Sequence, residues 1–263
     1  MSLGMTAFEG RTEDLEPIGV ARRAALLLWE RLRVIWPYVL ALAIVESAVR
    51  TVAWRYGFAM GEGYEFHGGE SLADFGRHGA WLCARALADG LVLGMLLRAL
   101  IGYGAPAWRP DRGLLGFTAI YLAASAAPLA LFAPTVLAWE VRGDIPLVVA
   151  TALGGVCALV ALCYFYLRLL IWPAGVAVQD PQMSAGRAWN AMMGARIAWL
   201  FAGILLMLPL IFGAALAADI ALGIYGLHSP VAGPWGAPMH ALGSVLWLAV
   251  TATVYRLRAG LEE

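Results

Sequence analysis

Of the chain's 263 residues, 62% are hydrophobic, 14% charged and 11% aromatic, whereas soluble domains run about 45–50% apolar and about 25% charged. Too few polar side chains exist to cover a globule of this size, which excludes a soluble protein. All 18 basic residues are Arg, so a P-loop Lys, a Schiff-base Lys and a Ser-Lys dyad are excluded, and the zero formal charge offers no general attraction to nucleic acid.

Residues 1–33 carry Arg11, Arg22, Arg23, Arg31 and Arg33 around one short Leu26-Leu27-Leu28 run. This is not the layout of a cleaved secretory signal, and it reads as a retained cytoplasmic segment. After Pro17, Ile18, Ala21, Ala25, Leu28, Trp29 and Leu32 share one helical face, opposite Arg22, Arg23, Glu30, Arg31 and Arg33. That division predicts an amphipathic helix at about 17–33 lying in the membrane interface.

A membrane domain of six spans follows over 34–257, closed by a short cytoplasmic tail at 258–263. About 20 predominantly apolar residues cross a hydrocarbon core, and the runs that qualify are 34–54, 81–101, 114–139, 145–171, 197–218 and 239–257. Counting Arg on alternate sides gives thirteen on the side of both termini and five on the other, so both termini are expected in the cytoplasm. Trp36, Trp54, Trp81, Trp139, Trp172 and Trp199 recur where spans meet the interface, the preferred level for an amphipathic ring. Cys83, Cys157 and Cys163 sit inside apolar runs and read as small core residues rather than a disulfide framework.

A second surface helix is predicted at 184–196. Ser184 can cap it, and Ala185, Ala188, Trp189, Met192 and Met193 share a face opposite Arg187 and Asn190. Each surface helix leads into a span through an Arg-x-x-Trp step, Arg33 to Trp36 and Arg196 to Trp199, which fits either a duplicated unit or the usual composition of a cytoplasmic interface. The expected fold class is therefore all-α: a polytopic membrane protein with six transmembrane helices and two interfacial amphipathic helices.

The stretch Arg168-Leu-Leu-Ile-Trp-Pro173-Ala-Gly-Val-Ala-Val-Gln-Asp180, followed by Ala185-Gly-Arg-Ala-Trp189 and Gly194-Ala-Arg-Ile-Ala-Trp199, resembles the central signature of bacterial six-helix inner-membrane proteins of the YciC-like and glycerophosphodiester-phosphodiesterase membrane-domain group. The resemblance covers about 35 residues and the other spans in number and spacing. It implies a bacterial inner-membrane location and no defined chemistry. The soluble phosphodiesterase domain of some relatives has no counterpart here, so that activity does not carry over.

Charges within the spans are the most informative feature. Glu46 and Arg50 in the first span, and Arg85 and Asp89 in the second, are each spaced i, i+4 and share a helix face. In antiparallel neighbours the four fall at matching depths. Charges facing lipid at mid-bilayer cost roughly 2.5–3.5 kcal/mol each, so these must face protein or water. They read either as a sealed neutral packing clamp, or as acids lining an outward-opening polar cavity that takes a proton, a cation or a zwitterion. Beside them, Gly90 and Gly94 form a small-x-x-x-small face for close helix approach.

On the outer side, the loop over 61–78 offers Glu62, Glu65, His67, Glu70, Asp74 and His78, with His228 and His240 facing the same compartment. Their spacing matches no metal-ligand motif and reads as a solvated polar loop. His67-Gly-Gly-Glu-Ser71 lacks a Gly-x-Ser-x-Gly elbow, and His-Glu-x-x-His and Cys-x-x-Cys are absent from the sequence. Pro128, Pro134 and Pro209 fall in or near spans, either as packing kinks or as breaks that free carbonyls to line a cavity. No catalytic set, cofactor or metal is expected. Membrane lipids are the expected partners, with a membrane-protein partner or a second copy of the chain as further candidates and no nucleic acid. The expected function is a non-enzymatic membrane protein that organises lipid or partner proteins, the alternative being a transporter or channel that uses the intramembrane carboxylates.

Overall fold

A computed structural model of the chain describes residues 15–56, 72–104, 106–142, 145–225 and 237–261. Every regular element among them is an α-helix: α1 Pro17–Tyr56, α2 Leu72–Ile101, α3 Arg112–Arg142, α4 Ile145–Leu169, α5 Trp172–Ala177, α6 Ala185–Ala191, α7 Ala195–Tyr225 and α8 Ala237–Arg258. Six of these, all but α5 and α6, are long and apolar enough to cross a membrane. α2 runs antiparallel to α3, and α7 to α8, as their close approaches show. Gly90 and Gly94 of α2 face Thr118 with Tyr121, and Leu114 with Phe117, of α3, while Gly203 of α7 lies against the Trp247 ring of α8.

α1, α2 and α8 form the centre of the bundle, with α7 against α1 and α8, and α3 against α2. α4 is peripheral and packs chiefly on α3 and α6. Its outward side chains, such as Ile145, Leu153 and Val160, are more than 60% exposed. An apolar surface that continuous would be an aggregation liability in water and is the natural surface of a helix against lipid tails.

The first surface helix and first span are one continuous 40-residue helix, α1. Nothing between Arg33 and Trp36 ends a helix, and Pro37, which removes one backbone hydrogen bond, is carried inside it. Most of the predicted interfacial face is not the face that packs on the bundle. Val20, Ala21, Ala24 and Leu27 are buried, whereas Ile18, Trp29 and Leu32 point outward. Small residues face the bundle because they permit close helix approach, and the bulky ones are left outside.

The second surface helix is shorter than expected. Ser184 caps α6 by accepting from the Arg187 amide at 3.2 Å, but the helix stops at Ala191. Gly194, at φ +85°, turns the chain into α7. The left-handed backbone there suits glycine. α5 was not anticipated. Pro173 stands in its first turn, where the missing N–H costs nothing. Pro128 and Pro134 are likewise carried inside α3 and Pro209 inside α7. Cys157 and Cys163 are exposed on α4, and only Cys83 is partly buried, so the reading of all three as core residues is corrected.

Candidate functional site

α1 and α2 pack side by side and bring the four intramembrane charges together. Glu46 is 0% exposed. Its Oε1 and Oε2 accept from one Arg85 guanidinium nitrogen at 2.9 and 3.1 Å. Arg50 reaches Glu46 Oε2 at 3.5 Å along α1, and Arg85 Nε reaches Asp89 Oδ2 at 3.3 Å along α2. Pairing thus follows the helix spacing within each span and crosses diagonally between spans. Two carboxylates and two guanidiniums cancel, so no net charge is left in the apolar layer. Gly90, next to Asp89, holds α3 close, with Thr118 and Tyr121 within 3.4 Å of where a Cβ would stand.

A fifth member comes from α8. His240 Nε2 lies 3.1 Å from Glu46 Oε1 and 3.4 Å from an Arg85 nitrogen. Since Glu46 can only accept, Nε2 must carry the proton, and the Arg85 contact is then a neighbour rather than a hydrogen bond. His240 stands in the first turn of α8, at the start of the last predicted span, but its place beside Glu46 was not anticipated. Spacing along the sequence could not show that the start of α8 lies against α1. Arg85 and His240 side chains keep 28% and 32% exposure, so the cluster is sealed around Glu46 but reaches accessible space at its edge. Asp89 Oδ1 is buried with no hydrogen-bond partner among the described residues.

A second buried arginine escaped the sequence reading. Arg98, near the end of α2, is 0% exposed. Its Nε donates to the Ala177 carbonyl at 2.6 Å, one terminal nitrogen donates to the Arg109 carbonyl at 3.0 Å, and the other pairs with Asp111. Asp111 also caps α3, accepting from the Gly113 and Leu114 amides at 3.0 Å each. Burial pushes its carboxyl up, but the Arg98 hydrogen bond, the Leu114 amide, Gln179 and the Arg98 charge together hold it well below the usual carboxylate range. Gly102, at φ +88°, ends α2 beside this knot, and a Cβ there would stand 2.7 Å from an Arg31 nitrogen. The only sequence signal is Asp111 just ahead of an apolar run, a helix-cap pattern.

Between the α3–α4 hairpin and the α7–α8 pair lies an apolar cleft of about 500 Å³. Leu93 and Leu97 of α2 form part of its lining, with Pro128 of α3, Leu162 of α4, Trp199 of α7 and Leu248 of α8. Cys163 and Tyr166 on its α4 wall are exposed, so the cleft is open on that side. Trp199 Nε1 is satisfied by Thr251 at 3.1 Å, leaving the ring as an apolar wall.

Glu62, Glu65, His67, Glu70, His228 and the His67-to-Ser71 stretch lie outside the described residues. Positions 74 and 78 both lie on α2. Among the described residues no group of three or more His, Cys, Asp or Glu is placed to hold a metal ion. The chain matches no family model, no curated protein and no solved structure.

Proposed function

We propose that this is a non-enzymatic integral membrane protein that organises lipid, holding an acyl chain in the cleft beside α4. The observation that carries this reading is the cleft itself: apolar, open, and about 500 Å³, within the roughly 300–1,000 Å³ of small-molecule sites. Most of its walls, the α4 side included, belong to candidate spans, so the groups that meet its open side in a bilayer are lipid tails. Burial from water gives no driving force there, and retention comes from packing against the walls. The outward Ile18, Trp29 and Leu32 of α1 suit the lipid interface at one end of the same bundle. The proposed location is a bacterial inner membrane with both ends cytoplasmic, on the family resemblance and the thirteen-to-five Arg asymmetry.

Filling the cleft tests the lipid reading. Ala124→Phe, which projects into the lined space, should lower the lipid retained after detergent purification several-fold by native mass spectrometry, with helicity unchanged. Equal retention would refute the cleft as a lipid site. A second reading, transport through the intramembrane charges, is favoured by the buried, unbonded Asp89 Oδ1 and the partial exposure of Arg85 and His240. Substrate uptake into liposomes that disappears in Asp89→Asn with the fold intact would promote it over the first.

A further inference from the structure

We infer that Arg168 and Arg196 form a binding site for a phosphate group, supplied by an anionic phospholipid whose tail enters the cleft; the inference deepens the lipid reading and rests on it. Arg168, one residue from the end of α4, is only 8% exposed. Its Nε and Nη1 are buried with no hydrogen-bond partner, and no acid pairs with it among the described residues. A buried guanidinium normally satisfies its five donors. What surrounds this one is aromatic: the Trp189 ring of α6, with its centroid 4.7 Å from Cζ, and the Tyr164 ring at 6.0 Å.

Arg196, in the first turn of α7, brings a second guanidinium to within 5.8 Å of the same Tyr164 ring. No acid pairs with it among the described residues either. Ring faces offset part of the charge of both, but they accept no conventional hydrogen bonds, and two like charges around one ring repel. The missing component is an anion with several acceptor oxygens, and phosphate meets planar guanidinium donors with matching geometry. Basic pockets between spans on the cytoplasmic side are a recurring form of headgroup site.

The site also lies where a headgroup would be. Leu167, Leu170 and Trp199, which flank the two arginines in sequence, line the cleft. The two arginines are not themselves part of the lining, so a lipid with its tail in the cleft would reach them with its headgroup across the neighbouring edge of α4. By contrast, Arg98, buried near the end of α2, has each of its three nitrogens engaged by a carbonyl or by Asp111.

The test uses the full-length protein in a phosphate-free detergent, with phosphatidylglycerol, diacylglycerol or inorganic phosphate as probe, read by native mass spectrometry. Phosphatidylglycerol should bind about tenfold more tightly than diacylglycerol, as expected for one added pair of charge-assisted hydrogen bonds. Arg168→Gln and Arg196→Gln should each remove most of that preference, with Arg168→Lys keeping part of it. Saturation by inorganic phosphate alone, with the same arginine dependence, would support the phosphate site and assign it to free phosphate. Equal binding of the two lipids, or a preference unchanged in both Gln variants, would overturn the inference. Diacylglycerol binding that survives the Gln variants but not Ala124→Phe would leave the cleft reading standing on its own, so the two failures are distinguishable.

Discussion

Two arginines of α2, Arg85 and Arg98, solve the same problem with different partners. Arg85 is neutralised by carboxylates carried on spans, Glu46 from α1 and Asp89 from its own helix. Arg98 is held mainly by backbone carbonyls at Ala177 and Arg109, with Asp111 as its one acid. The first arrangement ties helix to helix within the apolar layer. The second ties the end of α2 to the start of α3 and to the short helix α5, and fixes how the chain turns at that end of the bundle. Charge pairing between spans demands complementary residues at set depths, while carbonyl capture demands only that a turn come within reach.

Removing Arg98 should have the largest effect. Arg98→Met keeps the volume but leaves two carbonyls and the Asp111 carboxylate without the buried guanidinium, and losing one partner of a buried charged network typically costs about 3–5 kcal/mol. Unfolding of the detergent-solubilised protein, followed by circular dichroism, should show a loss of this size. Loss below about 1 kcal/mol would mean that water replaces the guanidinium and that the knot does not hold the turn.

The Glu46 cluster should be less costly to disturb, because its arginine has 28% side-chain exposure and water can reach the vacated edge. Arg85→Gln leaves Glu46 buried beside Arg50 and His240 and should cost about 2–3 kcal/mol. Glu46→Gln should cost a similar amount, and the double variant should recover at least about 1 kcal/mol of the summed loss. A double-mutant cycle in the same unfolding assay reads the coupling directly. Additive losses would show that the two residues are separately hydrated, and the description of the cluster as a clamp would fail.

These two regions also show what the sequence can and cannot reveal. The six long apolar runs are visible because span length and composition follow from bilayer thickness, and each corresponds to a long helix. The i, i+4 spacing of Glu46 with Arg50 and of Arg85 with Asp89 marks their shared faces, and antiparallel neighbours bring matching depths together. The contact of His240 with Glu46 was missed because neighbour relations between the first and last spans leave no trace in spacing. Arg98 stayed hidden because two of its acceptors are main-chain oxygens, which every residue carries. The joining of 17–33 to the first span was missed for a related reason: amphipathicity describes a face, and a change of face does not end a helix when no glycine or capping residue interrupts it.

The smallest expected effect separates charge from capping in the Arg98 knot. Asp111→Asn retains an oxygen able to accept from the Gly113 and Leu114 amides, and Asn caps helices about as well as Asp, so what is lost is the charge facing Arg98. That should cost about 1–2 kcal/mol near neutral pH. The Asp111 carboxyl is held below its ordinary range in the folded protein. Its stabilisation is therefore complete above the unfolded value of about 4 and disappears as pH falls through the folded value. The stability gap between wild type and Asp111→Asn should stay constant from neutral pH down to about 5, then narrow with further acidification, since carboxylates common to both proteins cancel in the difference. Parallel acid titrations of unfolding check this. A gap that is absent at neutral pH, or that widens on acidification, would show that Arg98 depends on its carbonyl partners alone and that Asp111 acts only as the cap of α3.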